Sequence, residues 1–278
     1  MPELLRWVRT HVPGADVALD AAGREVRSGG GLIAGGVAYR LFLWLVPFGL
    51  VLATLLGFWL ELDPEGAERS AREFGIGAAA VSEAARAVDA RTGSRIALLV
   101  VAIVLLAWFT LGAVRALRVA SAIAWGMERP RLRKPLHSVA VFNALFLAGA
   151  LSFAALAWLR EALGLGALLG TVGLLALHTG IALQILWLLP RRTDRWQDLL
   201  PGALVAAVGT ELMHVAVAFY FAPKLERSSE LYGALGSATA LLVWLYVFAR
   251  LFTSATFLNA TVWERRRERA ESEPSPLA

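Results

Sequence analysis

The chain has 278 residues, a formal net charge of +5 and no cysteine, and 58% of its residues are hydrophobic. This composition is far from that of a soluble domain, and the lack of cysteine excludes disulfides, cysteine metal sites and a thiol nucleophile. The sequence pI is near 10.2, but the basic residues are scattered through short loops without a recognition motif. No nucleic-acid partner is therefore predicted.

Six long apolar runs follow one another along the chain. A hydrocarbon core of roughly 30 Å needs about 20 helical residues, and each run is long enough to cross it. Lipid cannot satisfy backbone polar groups, and continuous apolarity lacks the alternation of a barrel strand, so each run predicts a helix. The predicted fold is an all-α polytopic membrane protein with six transmembrane helices, formed by Leu32–Leu60, Ile96–Val114, Val139–Leu159, Leu165–Leu189, Leu199–Phe221 and Leu235–Leu258.

The distribution of Lys and Arg predicts the orientation. Six spans put both termini on one side, and that side carries 17 basic residues against 8 on the other. Basic residues near helix ends resist translocation, so the N and C termini are predicted to be cytoplasmic.

Three segments flank or interrupt the spans. Residues 1–31 interleave apolar and charged side chains, which predicts a cytoplasmic, interfacial segment. Residues 61–95 are Ala-rich and predict an extracytoplasmic helical loop within the transmembrane domain, residues 32–260. Residues 261–278 are highly charged and predict a disordered cytoplasmic tail.

Ionisable groups within a span are costly, so each is a functional candidate. Arg40 and Arg250 fall within the first and sixth runs, and Glu211 lies one turn from His214 in the fifth. We predict that these four form a substrate-binding polar cluster in the bundle interior, where two arginines suit an anionic ligand. Alternatively, Glu211 pairs with one arginine only to hold the bundle together, while the other arginine reaches the headgroups.

Other polar residues in the runs are secondary candidates. A lone intramembrane histidine more often joins helices by a hydrogen bond than carries protons. Glu211 and His214 resemble half of a di-iron ligand set. No other acid lies within a run and no second Glu-x-x-His pair is present, so no metal site is predicted. Hydrolase, ATPase and nuclease motifs are also missing from the sequence, which predicts neither catalytic residues nor a cofactor. The secondary polar candidates are His178, Gln184, Asn143 and Tyr39.

Five short stretches carry a resemblance to a known family. AGGVAYR at residues 34–40 leads to Pro47, DLLPG at 198–202 opens the fifth run, and YGALG at 232–236 precedes the sixth. WLY at 244–246 and LNA at 258–260 follow. In this order and spacing, from about residue 20 to about 264, they resemble the YihY/BrkB family of bacterial inner-membrane proteins. Phe257 occupies a position where the family often has glutamate.

The resemblance implies six helices, cytoplasmic termini and a multi-pass location in the bacterial plasma (inner) membrane. It also implies an envelope role or export of lipid-like molecules. A ribonuclease label once given to members does not fit the missing catalytic groups, so ribonuclease activity is not expected.

Two interpretations remain open. One is ATP-independent transport of an anionic or amphipathic lipid-like substrate or small solute. The other is a non-transporting envelope protein that organises lipids or partner proteins. Membrane lipids are the predicted partners, with anionic headgroups at the cytoplasmic basic loops. Small residues such as Gly149 and Ser152 are compatible with close helix contacts within one chain or in a homo-oligomer.

Overall fold

The computed structural model describes residues 14–62, 92–128, 134–163, 167–216 and 234–272, and regular structure within these ranges is entirely helical. Gly29, with a positive φ of 72°, separates the first two helices. The seven α-helices are α1 (Ala15–Arg27), α2 (Gly30–Leu62), α3 (Thr92–Ala124), α4 (Pro135–Leu163), α5 (Ala167–Leu188), α6 (Leu200–Ala216) and α7 (Ala234–Ser272), and a short 3-10 turn at Trp196–Asp198 precedes α6.

Each predicted apolar run coincides with one of the helices α2 to α7. Within the described residues, Gly30–Leu55, Ile96–Ala124 and Ala238–Ser272 are long and apolar enough to cross a membrane. Pro135–Gly149, Val172–Leu188 and Leu200–Met213 are shorter apolar helical segments. The all-helical class is thus confirmed, whereas six crossings and two cytoplasmic termini stay predictions.

The surface of α3 is typical of a helix in lipid. Val104 is 62% exposed and Trp108 is 73% exposed, and most of their neighbours between Ile96 and Leu105 are also exposed. Water-soluble monomers rarely present a contiguous apolar surface of this kind. The exposed face of α3 therefore favours hydrocarbon as its solvent.

The end of the chain corrects one expectation. The disordered tail was predicted to begin at residue 261, but α7 continues as a helix to Ser272. Arg265 and Arg266 form ion pairs with residues outside α7, and Arg267 pairs with Glu271 one turn on. Charge was interpreted as a sign of disorder, whereas these charges have partners that hold the helix. Residues 273–278, and loop residues 63–91, lie outside the described residues.

The chain divides into two compact units. The first comprises Met1–Tyr39, Arg115–Arg133 and Thr171–Ala278. Its core draws small and large apolar side chains from the end of α3 and from α5, α6 and α7, including Trp125, Leu186, Leu199 and Phe257. Phe257 is 1% exposed. The departure from the family's glutamate therefore places an aromatic ring in this core, where a carboxylate would need a partner.

Two of the family-like stretches meet where α6 packs on α7. The Gly202 backbone N–H donates to Asn259 Oδ1 at 2.7 Å, and Asn259 is fully buried. The first N–H groups of a helix have no partner within it, so Asn259 supplies one from a neighbouring helix. A Cβ on Gly202 would overlap the Ala255 carbonyl and the Asn259 amide. Glycine is thus required for this close approach.

The second unit comprises Arg40–Val114 and Lys134–Gly170. Trp44 of α2 is fully buried, and its ring centroid lies 4.7 Å from that of Phe48 and 4.4 Å from that of Phe146. Trp44 Nε1 donates to Asn143 Oδ1 at 3.1 Å, and Asn143 Nδ2 donates to Thr110 Oγ1 at 3.1 Å. Asn143 therefore links three helices, α2, α3 and α4.

We predict that Gly202→Ala destabilises the protein by about 1–3 kcal/mol, because the added methyl overpacks the α6–α7 contact. Thermal unfolding in detergent measures the effect. Gly180→Ala is the matched control, since a Cβ there meets nothing within 4 Å and alanine favours the helix. Equal melting temperatures for the two variants would contradict the packing argument.

Candidate functional site

A histidine and a glutamate pair between two apolar helices of the first unit. His178 Nδ1 of α5 lies 2.5 Å from Glu211 Oε1 of α6. The His178 side chain is 6% exposed and that of Glu211 is 22% exposed. So short a contact requires a proton between the two atoms, donated either by the imidazole N–H or by a carboxylic acid. The pair therefore joins α5 and α6 by a hydrogen bond.

This pairing differs from the predicted one. Glu211 was expected to pair with an arginine and to share its site with His214, yet its described partner is His178, one of the secondary candidates. The side chain of His214 lies outside the described residues. His178 has the interhelical contact expected for an intramembrane histidine. The hydroxyl of the neighbouring Thr179 donates to the Leu175 carbonyl within α5 itself.

Arg250 of α7 has an acidic partner that the sequence interpretation missed. Its NH1 lies 2.6 Å from Oε1 of Glu25 in α1, and Ser254 Oγ donates to Glu25 Oε2 at 2.8 Å. Glu25 is 4% exposed although α1 is largely polar. In the structure Glu25 follows the buried Ala21 by four residues, so this acid lies on the buried face of α1.

Further ion pairs join α1 to the end of α7. Arg265 pairs with both Asp16 and Asp20, and Arg24 pairs with Glu264. Asp16 lies opposite Arg265, and Glu25 lies opposite Ser254, so the two helices run antiparallel. We call these partly exposed pairs, with the buried Glu25, the α1–α7 clasp. The interfacial N-terminal segment of the sequence prediction thus contains a helix packed against protein.

The loop between α5 and α6 is also held by protein contacts. Arg191 stacks on Trp187, with its guanidinium carbon 3.7 Å from the ring centroid, and its Nε donates to the Thr193 carbonyl at 3.0 Å. Burial lowers the pKa of Arg191, although a guanidinium stays protonated in proteins. Asp198 accepts from Thr193 Oγ1 at 2.6 Å and from Arg266 NH1 at 2.7 Å. The DLLPG stretch is therefore anchored to α7.

The remaining candidates occupy more open positions. Tyr39 is 55% exposed, and Gln184 is exposed on α5. Arg40, in the second unit, is exposed. Its guanidinium lies beside Gly112 of α3, because NH1 is 3.4 Å from the position that a Cβ on Gly112 would occupy. Within the described ranges, no group of three or more His, Asp or Glu side chains is arranged to hold a metal ion.

Within the described residues, three apolar helices are long enough to cross a membrane, which indicates an α-helical integral membrane protein. The chain belongs to the Virulence factor BrkB family, the YihY family of the resemblance, whose model matches residues 23–277. This family is not a known enzyme family.

Part of the chain is similar to a protein of known sequence. A 116-residue stretch is 36% identical to an uncharacterized protein of Dickeya dadantii (strain 3937), and it covers 42% of this chain and 34% of that protein. The match thus spans about a third of the relative's length. No solved structure matches the chain.

We predict a coupling free energy of about 0.5–2 kcal/mol between His178 and Glu211, as for other intramembrane hydrogen bonds. A double-mutant cycle with His178→Ala and Glu211→Gln, followed by unfolding in detergent, measures it. Gln184→Ala is the control, because this exposed residue on α5 should change stability by less than about 0.5 kcal/mol. Additive effects of the two substitutions would show that the pair is not coupled.

We also predict that acid loosens the α1–α7 clasp. The hydrogen bond from Arg265 holds the pKa of Asp16 below its ordinary value. A lowered folded-state pKa contributes stability above the unfolded-state pKa, and this contribution is lost as pH falls through the folded-state value. Docking of α1 should therefore weaken below about pH 4. Spin-label distances between α1 and α7 report it, and an identical pH response from Asp16→Asn would contradict this assignment.

Proposed function

We propose that this protein is a multi-pass protein of the bacterial inner membrane that moves an anionic or amphipathic substrate, a lipid-like molecule or a small solute, without ATP hydrolysis. The observation that carries the proposal is the His178–Glu211 pair, an ionisable couple at 2.5 Å between two apolar helices. Ionisable groups in a membrane are costly and commonly mark pathways or proton relays.

Proton exchange at this pair would allow a proton gradient to drive transport without nucleotide hydrolysis. Histidine and carboxyl side chains are the groups that form proton relays in membrane proteins. Uptake of a proton on one side and its release on the other would couple the pair to the transmembrane proton gradient. Arg250, in the same unit as the pair, supplies positive charge that an anionic substrate requires.

A second candidate function has its own support. Arg250 is paired with Glu25, and Glu211 is paired with His178. Charges compensated in this way also serve to fix helix packing, as in a protein that organises lipids or partners without moving anything across the membrane. The two functions differ in whether these pairs open during a cycle.

We predict that the native chain in proteoliposomes translocates fluorescent anionic lipid, and that an imposed pH gradient changes the rate. Glu211→Gln should abolish the pH-gradient response, because an amide cannot exchange the proton. Arg40→Ala and Arg250→Ala should slow anionic lipid more than zwitterionic lipid. Gln184→Ala, whose side chain is exposed on α5, should behave as the native chain.

Two results would contradict the transport proposal. If no anionic or zwitterionic lipid crosses, and a panel of small anions is also retained, the envelope-organising function is favoured. If lipid crosses equally well in all variants, translocation does not depend on the charged residues. Circular dichroism and gel filtration of each variant must first show that folding is intact.

A further inference from the structure

Arg250 and Ser254 form a small receptor for a negatively charged group. They are one turn apart on α7, so a guanidinium and a hydroxyl lie on the same face of the helix. Both contact one carboxylate: Arg250 NH1 is 2.6 Å from Glu25 Oε1, and Ser254 Oγ donates to Glu25 Oε2 at 2.8 Å. Guanidinium and hydroxyl donors are the groups that proteins use to bind carboxylates and phosphates.

The carboxylate in this receptor belongs to a separate short helix. Glu25 reaches the site from α1, and only Ser28 and Gly29 lie between α1 and α2. Gly29 has a positive φ of 72°, a conformation in which glycine is free of the strain other residues carry. A rotation at this turn would carry α1 and Glu25 away from α7 without unwinding either helix.

Glu25 is held by the opposite charge of Arg250, but the hydrogen-bond geometry between the two groups is not ideal. Its Oε1 lies at ion-pair distance from Arg250 but has no aligned hydrogen-bond donor, although it is buried. A bidentate guanidinium–carboxylate pair would satisfy both oxygens with parallel hydrogen bonds. Arg250 therefore has donor capacity that Glu25 does not use, and an anion with more acceptor oxygens would use it better.

The other contacts of the clasp are easily exchanged. The pairs of Asp16 and Asp20 with Arg265, and of Arg24 with Glu264, are all partly exposed to solvent. Ion pairs of this kind contribute little to stability and are screened by salt. Glu25 is thus the buried contact among the polar contacts of the clasp, and the others are weak.

We propose that the Arg250–Ser254 pair binds the phosphate or carboxylate group of an anionic ligand, and that Glu25 is an internal occupant which the ligand displaces. This inference rests on the proposed function, in which Arg250 contacts substrate. Helix α1 then acts as a strap: it covers the site when no ligand is bound and swings away when an anion takes the place of Glu25.

The test is binding of fluorescent phosphatidylglycerol to the purified full-length chain in detergent. If Glu25 fills the site in about nine molecules out of ten, removing its charge raises the apparent affinity on the order of tenfold. Glu25→Gln should therefore bind this lipid about tenfold more tightly than the native chain, and Arg250→Gln should lose binding in both backgrounds. Glu271→Gln, which removes an exposed acid paired with Arg267, is the matched control and should leave affinity unchanged.

Two further variants keep the inference testable if Glu25→Gln misfolds. Gly30→Ala retains the charge, but its Cβ would overlap the Glu25 side chain, so it should also tighten binding. The chain has no native cysteine, so a bis-maleimide joining Asp20→Cys to Arg265→Cys should hold the strap closed and weaken binding. Unchanged affinity in folded Glu25→Gln, or equal affinity with and without the linker, overturns the proposal.

Competition identifies the source of the anion. Displacement of the fluorescent lipid by millimolar inorganic phosphate supports a site for the phosphate group itself. Displacement by unlabelled phosphatidylglycerol but not by phosphate supports a lipid headgroup site. Scrambling assays on the same preparations separate the two proposals, because Glu25-dependent binding without translocation would refute lipid transport and leave the anion site standing.

Discussion

Polar side chains of α7 contact partners from elsewhere in the chain, and the arrangement of the first unit depends on these contacts. Glu25 approaches Arg250, the α6 backbone bonds Asn259, and Asp198 accepts from Arg266. These partners come from three different parts of the chain. Removing one partner of a buried polar group costs about 1–3 kcal/mol, so these contacts help to fix α1, the α5–α6 loop and α6 to one helix.

The apolar runs were predictable because lipid leaves the backbone no alternative to a helix. The partners of the charges were not, since hydropathy says nothing about contacts between residues more than 200 positions apart, such as Glu25 and Arg250. Arg250 and Glu211 were singled out as ionisable residues within the runs, but their described partners, Glu25 and His178, were not predicted. The helical end of α7 was missed for a related reason: the composition of residues 261–272 suggests disorder, whereas its arginines pair with acids of α1, with Asp198 and with Glu271.

Both proposed functions involve buried charge pairs, but they differ in whether the members of those pairs separate during function. A pair that only fixes packing gains from being permanent, whereas a pair on a pathway must open. His178 and Glu211 form a contact between two helices, and Glu25 lies on a short helix whose other ion pairs with α7 are partly exposed. The Asn259–Gly202 contact, by contrast, is fully enclosed.

Helix α7 is continuous over 39 residues, a length of about 60 Å at 1.5 Å per residue, which is roughly twice the hydrocarbon core. Such a helix behaves as a stiff rod, with no loop in it to absorb displacement. A torque applied by α1 near Arg265 would therefore reach the apolar end around Leu245. Displacement of the polar end of α7 and displacement of its apolar end are therefore coupled, because a single unbroken backbone joins them.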